Sequence, residues 1–298
     1  MLSKQTKEKV QKEPEKFIEE EIKTFTRTSP LNCMPSTQDE PLFDEPLVRF
    51  ADGDAPIFAQ YKSVVAPDHL TPREALAMAY QKSPGDLPAR LSVISFILPI
   101  TERTRQSNRS QTKEPSRAWV YTRWYGEKFG DALRAHLVET LTGMGYLAAA
   151  PALQPYFKRE YKENGPYSNW SERHMAYAAG HGTFSLSDGF ITERGIAHRC
   201  GSIVTDLVLK ASPGAARKPY ANCLFYAGVD CRACIERCPA GAITEKGHNK
   251  IRCEAYMQQD NKHVLTEYNV GVAGCGLCQT QVPCEFINPT KKIKGQKK

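Results

Sequence analysis

The spacing of apolar residues predicts four helices before residue 180. In residues 14–25 apolar side chains follow the helical period while glutamates fall on the other face. Thr71, followed by Pro72 and an acidic first turn, predicts a second helix that reaches about Gln81. A helix is predicted over residues 171–179, with Ser171 or the nearby Asn169 as its capping residue. The longest helix is indicated by apolar residues that recur every three or four positions: Phe129, Leu133, Leu137, Leu141 and Met144. Gly143 and Gly145 are expected to end it.

Short apolar runs bounded by Pro or Gly predict strands. Residues 91–99 are rich in β-branched residues and end at a proline, which predicts a buried central strand. Residues 146–152 predict another strand after the long helix. Residues 190–192 and 196–207, separated by a three-residue turn, are predicted to form a strand pair. The strand, helix, strand order predicts an α+β fold with an α/β layered domain.

Two polar stretches are predicted to lack regular structure. Residues 30–57 are rich in Pro and Asp, which predicts an irregular segment that wraps the core. The polar stretch after the strand at 91–99 is predicted to be a loop as far as Pro115. Neither stretch is expected to contribute a helix or strand to the layers.

The composition is that of an ordinary globular protein. The chain has 298 residues, 41% of them hydrophobic and 24% charged, enough for a sizeable core and roughly two domains. Residues 1–12 lack an apolar leader, and no apolar run approaches about 18 residues, so neither a signal peptide nor a membrane span is predicted. We therefore expect a cytoplasmic location with reduced thiols. The net charge of +7 is partly in the basic tail 291–298, which is either solvated or in contact with RNA phosphates.

Eight of the ten cysteines lie between residues 223 and 284. Cys231, Cys234 and Cys238-Pro239 follow the C-x2-C-x3-C-P spacing that closes a bacterial ferredoxin motif, in which the cysteine before proline ligates the neighbouring cluster. The ferredoxin register expects another cysteine at position 228, where this chain has glycine. Eight thiolates satisfy two [4Fe-4S] clusters, so the spacing predicts two clusters.

The crossover of the ferredoxin motif divides the eight cysteines into two sets. The first set, with Cys223 replacing the missing cysteine, comprises Cys223, Cys231, Cys234 and Cys284. The second set comprises Cys238, Cys253, Cys275 and Cys278. A single cluster or structural zinc is the alternative. Zinc also uses paired C-x2-C units, although it does not need the C-x3-C-P step. Disulfides require an oxidising compartment, which nothing in the sequence indicates.

Several other reactive side chains are candidates for simpler roles. Cys33 is isolated from the motifs and is interpreted as a packed or free thiol, and Cys200 in a predicted strand as a structural thiol with a lesser case for redox duty. The histidines fall in no metal-ligand spacing and are interpreted as packing or surface residues. Gly180 and Gly182 permit positive φ and close ligand approach, but a preceding strand and a third glycine of a dinucleotide fingerprint are missing.

The sequence from Ala178 to Leu209, AAGHGTFSLSDGFITERGIAHRCGSIVTDLVL, followed by the split cysteine motifs, resembles epoxyqueuosine reductases and reductive dehalogenases. The resemblance runs from about Leu91 to Pro289. It implies a nitroreductase-like domain that holds cobalamin, followed by a ferredoxin-like domain with two [4Fe-4S] clusters. The implied division is a helix and wrapping segment at 1–60, a corrinoid-binding domain at 61–215, a cluster domain at 216–290 and the basic tail.

The resemblance also implies roles for individual residues. Gly180 and Gly182 match a glycine-rich turn against the corrinoid. The acidic proton donor of epoxyqueuosine reductases has no counterpart at residues 166–168, so Tyr167 is the candidate acid, with a surface packing role as its alternative. The helical-repeat domain of many epoxyqueuosine reductases is not seen after Cys284, which weakens the tRNA hypothesis.

The functional expectation is a cobalamin-dependent reductase fed by reduced ferredoxin or flavodoxin. Two clusters would pass electrons to the corrinoid, which carries the difficult chemistry on a small molecule or a tRNA base. The alternative is a corrinoid-free electron-transfer protein that serves a partner enzyme. A third hypothesis keeps the clusters as structural elements of an RNA-binding protein with a basic tail.

Overall fold

The computed structural model describes residues 10–35, 40–214 and 218–291, which form a mixture of helices and small antiparallel sheets. The helices are α1 Pro14–Thr28, α2 Ile57–Val64, α3 Pro72–Ala79, α4 Glu102–Arg109, α5 Arg117–Gly143, α6 Glu172–Ala178, α7 Ala233–Glu236, α8 Lys250–Ala255 and α9 His263–Glu267. The strands are β1 Leu47–Asp52, β2 Ser92–Pro99, β3 Ala148–Ala149, β4 Arg159–Lys162, β5 Gly165–Ser168, β6 Gly182–Phe184, β7 Phe190–Thr192, β8 His198–Thr205, β9 Ile243–Thr244 and β10 Gly247–His248. The mixed helix-and-sheet prediction is confirmed.

A four-stranded antiparallel sheet, ordered β1-β2-β8-β3, lies between two helical layers. Alternate residues of a strand point to opposite faces. On one face Ile94 and Phe96 of β2 pack with α1 and α5, and on the other Val93 packs with α3 and α6. Every residue of β2 is buried, which confirms the predicted central strand.

The predicted helices are present, with local causes that the sequence indicates. Pro14–Thr28 buries Phe17, Ile18 and Ile22. The start of α3 is fixed by a capping box, because Thr71 accepts from the Glu74 amide and Glu74 accepts from the Thr71 amide. Helix α5 ends at Gly143 as predicted but begins at Arg117, earlier than its apolar period indicates.

Two stretches predicted to be irregular contain regular elements. Residues 30–57 include the edge strand β1, which pairs antiparallel with β2 in register Phe50↔Ile94. The predicted loop before Pro115 includes α4, a helix that buries Thr104, Arg105 and Asn108 rather than apolar residues. These predictions were wrong because neither element has the apolar period that marks a helix or strand packed on a hydrophobic core.

Two strand predictions also need correction. The strand predicted at 146–152 is confined to Ala148–Ala149, so the outer edge of β8 before Val204 has no strand partner among the described residues. The predicted pairing of residues 190–192 with 196–207 is wrong, since β7 pairs with β6 and β8 pairs with β2 and β3. The turn after β7 is tight, with a single bridge between Thr192 and Gly195.

The described residues contain no helix that is both long and apolar enough to cross a membrane. Residues 292–298 of the predicted basic tail and 1–9 of the amino-terminal segment lie outside the described residues. The predicted domain bounds stay a prediction, although β1 from the predicted first segment joins the same sheet as β2.

Candidate metal centres

Four cysteines from separate parts of the sequence line one cavity: Cys223, Cys231, Cys234 and Cys284. The cavity is partly open to solvent, and its other lining residues are apolar or carry a hydroxyl. Leu186, Ile191 and Val282 form part of its buried wall. These are the members of the first set, so the fold places all four around a shared space.

Electrostatics shows how close the thiols of the first set lie. Burial, together with the neighbouring Cys223 and Cys231, raises the pKa of Cys234 to about 12. The pKa of Cys284 is also raised, by burial and by Cys223, Cys234 and Cys231. Thiolates in this cavity repel one another, so a bound cation is needed to hold them together in the ionised form.

Short turns and the α/β layers position the first set. Cys231 and Cys234 flank the start of α7, and Cys284 is tied to the β7–β8 turn because the Ile196 amide donates to the Cys284 carbonyl at 2.8 Å. Gly195 has φ +80°, and a Cβ there would approach the Glu285 carbonyl oxygen to 2.3 Å. Only glycine meets both conditions, so the turn and the Cys284 loop fit together through a bare backbone.

The second set also comes together. Burial raises the pKa of Cys275 to about 11, and Cys253 and Cys238 add to the rise. Cys278 has a pKa raised well above its usual value by burial and by Cys275, Cys253 and Cys238. The Cys238 sulfur accepts a hydrogen bond from the Ala242 amide at 3.3 Å. Cys278 also lies within electrostatic range of Cys234, so the two sets are neighbours.

The long helix α5 supports the loop that carries Cys275 and Cys278. Gly276 has φ +57°, and a Cβ on it would lie 2.1 Å from the Trp119 indole. Helix α4 reaches the same loop, because the Asn108 side chain donates to the Cys275 carbonyl at 3.2 Å. The second set is therefore held by direct packing on the α/β layers.

Arg237 is the central cation of this region. Its guanidinium donates to the carbonyl oxygens of Leu277, Thr280, Gln111 and Asn108 at 2.8–3.3 Å. Burial lowers the pKa of Arg237, while Cys275, Cys278 and Glu285 act to raise it. No carboxylate of the described residues lies within ion-pair distance of Arg237, so its charge acts on Cys275 and Cys278 of the second set as well as on the more distant Glu285.

His248, which pairs with Asp188, contacts the remaining member of the second set, Cys253. His248 Nδ1 lies 3.3 Å from the Asp188 carboxylate, and the ring also hydrogen bonds with Cys253. Burial alone would lower the pKa of His248, but the bonds to Asp188 and Cys253 outweigh it and raise the pKa to about 9. Asp188, with φ +57°, lies in the β6–β7 turn. The turn thus connects the α/β layers to Cys253.

Helix α4 clamps the chain after Cys284 through a buried carboxylate. Glu285 is 2% exposed and accepts bonds from Arg109 Nε at 2.9 Å, from Arg109 Nη2 at 2.5 Å and from the Gln281 amide at 2.7 Å. A bidentate arginine–carboxylate pair fixes geometry as well as charge. The polar composition of α4 is explained by this contact.

The described residues contain no group of three or more His, Cys, Asp or Glu side chains spaced to hold a single metal ion. The first set instead borders a cavity between its four thiols. A polynuclear cluster needs such a space, because its iron and sulfide atoms fill the volume between the ligands.

The residues matched to a corrinoid site lie elsewhere. Gly180, with φ +79°, and Gly182 are buried, and a Cβ on Gly182 would lie 2.1 Å from the Ile191 carbonyl oxygen of β7. Internal packing therefore requires glycine at position 182. The Tyr167 hydroxyl donates to Glu160 at 3.2 Å, and desolvation with the carboxylates of Asp68 and Glu160 raises the pKa of Tyr167. Their roles toward a corrinoid stay predictions.

The two remaining cysteines are separate from both sets. Cys33 is half-buried, and its thiol donates to the Met34 carbonyl at 3.7 Å. Cys200 lies in β8 with its sulfur 3.5 Å from His198 Nδ1, and burial raises the pKa of Cys200 to about 12. His198 in turn contacts the Phe190 carbonyl at 2.7 Å. A thiol with so high a pKa is a weak nucleophile at neutral pH, which favours a structural role for Cys200.

Two residues that contact the cysteine sets, Arg237 and His248, were not among the residues predicted from the sequence. Arg237 precedes Cys238 directly, and a cation inside a cysteine motif was a signal that was available. His248 has no such signal, because its contact with Cys253 depends on Asp188, which is 60 residues away in the chain.

The comparisons with known proteins give a fold and no more. No protein-family model matches the chain, and no curated protein matches it. Three solved epoxyqueuosine reductase structures are similar in fold. A selenomethionine-labelled one has 18% identity and a TM-score of 0.45, over 82% of this chain and 62% of its own.

The other two are equally distant. The Bacillus subtilis enzyme, with its catalytic loop swung out of the active site, has 19% identity and a TM-score of 0.40, over 80% of this chain and 61% of its own. One with an epoxyqueuosine-modified tRNA-Tyr stem loop has 18% identity and a TM-score of 0.43, over 90% and 65%. The chain thus spans less than two thirds of the length of each of these three proteins.

Proposed function

We propose that this chain is an iron–sulfur oxidoreductase that binds two [4Fe-4S] clusters. The observation that carries the proposal is the cavity on which four cysteines converge from three separated segments of the sequence. Each set supplies the four thiolates that one cluster requires. The proposed ligands are Cys223, Cys231, Cys234 and Cys284 for the first cluster, and Cys238, Cys253, Cys275 and Cys278 for the second.

The chemistry of the donors fits this assignment. The raised pKa values of Cys234 and Cys275 reflect burial and mutual repulsion, both of which disfavour thiolates without a cation. An iron core removes that penalty, since metal binding and thiol deprotonation are coupled. The apolar wall of the first cavity also limits contact with water, which is one factor that sets a cluster potential.

When bound, the clusters would supply one-electron transfer, and the surrounding residues shape their environment. Ala242 and Ile243 are 1% and 2% exposed and shield the region between the two sets from water. The Ala242 amide donates to the Cys238 sulfur, and Arg237 fixes the loop of Cys278. These contacts hold the sulfurs in place and tune their electron density.

Binding of a corrinoid, with Gly180 and Gly182 beside it and Tyr167 as the acid, is a separate and more specific hypothesis. Gly180 is buried, Gly182 lies in β6 against Ile191 of β7, and the pKa of Tyr167 is raised, so its phenol holds its proton more tightly than a free tyrosine does. We therefore assign no step to a corrinoid. The buried glycines favour the second candidate, a corrinoid-free protein that passes electrons from a reduced ferredoxin or flavodoxin to a partner. Reduction of a small molecule or of a tRNA base by this chain itself is part of the corrinoid hypothesis.

The test is anaerobic reconstitution with iron and sulfide, followed by metal analysis and EPR of the reduced protein. We expect about eight irons per chain and the signal of two interacting [4Fe-4S] clusters. Stoichiometric zinc with less than one iron per chain would contradict the proposal. Addition of cobalamin to the same sample separates the two candidates, since a bound corrinoid changes its visible spectrum and a corrinoid-free carrier leaves it unchanged.

A further inference from the structure

Two arginines converge on one carboxylate between α5 and the beginning of β8. Arg123 Nη1 donates to Glu127 Oε2 at 2.7 Å, and Arg199 Nη2 donates to the same oxygen atom. The side chains of Arg123, Arg199 and Glu127 are 27%, 30% and 37% exposed. The group is therefore half-buried and open to a ligand from solution.

The two guanidinium groups of this cluster compete for one carboxylate oxygen. Repulsion from Arg199, together with burial, lowers the pKa of Arg123 to about 10, with a smaller contribution from Arg159. Burial acts to raise the pKa of Glu127, but Arg199 and Arg123 outweigh it and lower the pKa, so Glu127 is ionised. Asp131 is also within electrostatic range of Arg199 but pairs with Arg134, so Glu127 is the one carboxylate among the described residues that both guanidinium groups contact. A ligand anion that contacts both groups would relieve their repulsion.

The hydrogen-bond donors of the arginines are also in excess. A guanidinium carries five N–H donors in a planar fork. Within the described chain, Arg123 and Arg199 each donate a single side-chain bond, to Glu127. The remaining donors border a half-exposed surface, where a group with several acceptor oxygens can engage both forks.

Arg199 is close in sequence to the segment that contacts the Cys284 loop. It is three residues from Ile196, whose amide bonds to the Cys284 carbonyl, and the chain turns between them because the His198 amide donates to the Ile196 carbonyl at 3.1 Å. The adjacent edge of β8 is covered by Arg134, which donates to the Cys200 carbonyl at 3.1 Å. Because Arg199 alternates with Cys200 along β8, the arginine pair lies on the α5 face of the sheet, while Cys200 packs with Phe190 on the other face.

We propose that Arg123 and Arg199 form a binding site for a phosphate group of a ligand, with Glu127 as the competing internal anion. A phosphate presents three or more acceptor oxygens and matches paired arginine forks better than a carboxylate does. The group is either a terminal monoester or an internal diester. The site is built from α5 and β8 alone, so it goes beyond the proposed function and does not depend on it.

The test is isothermal titration of the anaerobically purified, cluster-loaded protein with methyl phosphate, dimethyl phosphate and acetate at low salt. We expect Arg199→Gln and Arg123→Gln each to weaken phosphate binding about tenfold or more, since each loses a charge-assisted bond. Glu127→Gln should tighten binding, because it removes the competing anion. Methyl phosphate binding better than dimethyl phosphate indicates a terminal phosphate, and the reverse indicates a diester.

The matched control is Arg194→Gln, which removes an arginine that pairs one-to-one with Asp44 at 3.2 Å and is 41% exposed. Its phosphate affinity should stay at the wild-type value. The proposal is overturned if neither phosphate binds the wild type, if acetate binds as tightly, or if Glu127→Gln weakens binding while its thermal unfolding is unchanged. Equal losses in the control and the Arg199 variant overturn it too. The iron count of each sample tests the proposed function separately.

Discussion

The two cysteine sets have the same ligands but different surroundings. The cavity of the first set has no charged residue in its lining. The second set has Arg237 within electrostatic range of Cys275 and Cys278, and His248 in contact with Cys253. Cations stabilise the more negative, reduced form of a cluster, and hydrogen bonds to sulfur act in the same direction. If each set binds a cluster as proposed, the second cluster would therefore have the higher reduction potential.

The two sets also differ in how they are supported. The loop of Cys275 and Cys278 packs on Trp119 and is tethered by Asn108. The Gly228 turn between Cys223 and Cys231 contacts nothing within 4 Å of a Cβ placed on it. The second set therefore depends more closely on the packing of the α/β layers.

The largest expected effect is a loss of iron that distinguishes the two cysteine sets. Cys234→Ala should remove the first cluster and Cys275→Ala the second, so each variant should lose about half of the iron, because three thiolates hold a cluster poorly. Metal analysis and EPR of the reduced proteins would measure this. Cys33→Ala is the control and should keep the full iron content. If Cys234→Ala and Cys275→Ala abolished the same EPR signal, the division into two sets would be wrong.

A smaller effect tests the packing difference. Gly276→Ala introduces a Cβ against Trp119 at positive φ, so overpacking and backbone strain should together lower the free energy of unfolding by about 2–4 kcal/mol. Gly228→Ala, also at positive φ but in open space, should cost only about 1–2 kcal/mol. Chemical denaturation of both proteins measures the difference. Equal losses would show that Trp119 does not support the second set.

The smallest effect tests the electrostatic difference. Arg237→Met should lower the potential of the second cluster by on the order of 50–100 mV, given an interaction of about 1–2 kcal/mol between half-buried unit charges. Arg237→Lys should retain most of the potential. EPR-monitored redox titration gives both values while the first cluster serves as an internal reference.

The matched surface control is Arg232→Gln. Arg232 adjoins Cys231 but is 48% exposed and paired with Asp230 and Glu245, so its charge is screened and its loss should leave both potentials nearly unchanged. A shift as large as that of Arg237→Met would mean that any nearby cation acts alike, and the contrast between the sets would then be lost.

Elements with an apolar period were predictable from the sequence, and elements held by polar contacts were not. The spacing of Phe129, Leu133 and Leu137 indicated α5, and the run at 91–99 indicated β2. Helix α4 has no such signal, because it packs through Asn108 and Arg109 on the cysteine segment. Its role follows only from contacts more than 160 residues apart in the chain.

The candidate sites show the same contrast between local sequence patterns and contacts between distant residues. Motif spacing singled out the eight cysteines and their partition, which stays a prediction, because ligand spacing within a loop is a local property. The arginine pair at Glu127 was missed because Arg123 and Arg199 lie on different elements, 76 residues apart. A single sequence carries no local pattern that joins them.

The dependence of the cysteine loops on Trp119 and Gly195 bears on how the protein is made. Both residues precede Cys223, so a ribosome releases the supporting helix and turn before it releases any of the eight thiols. Iron-delivery proteins would then meet cysteines that dock on a surface already folded. The order of synthesis thus shortens the time in which bare thiols could cross-link wrongly, and it makes mutations in α5 a cause of poor metal loading.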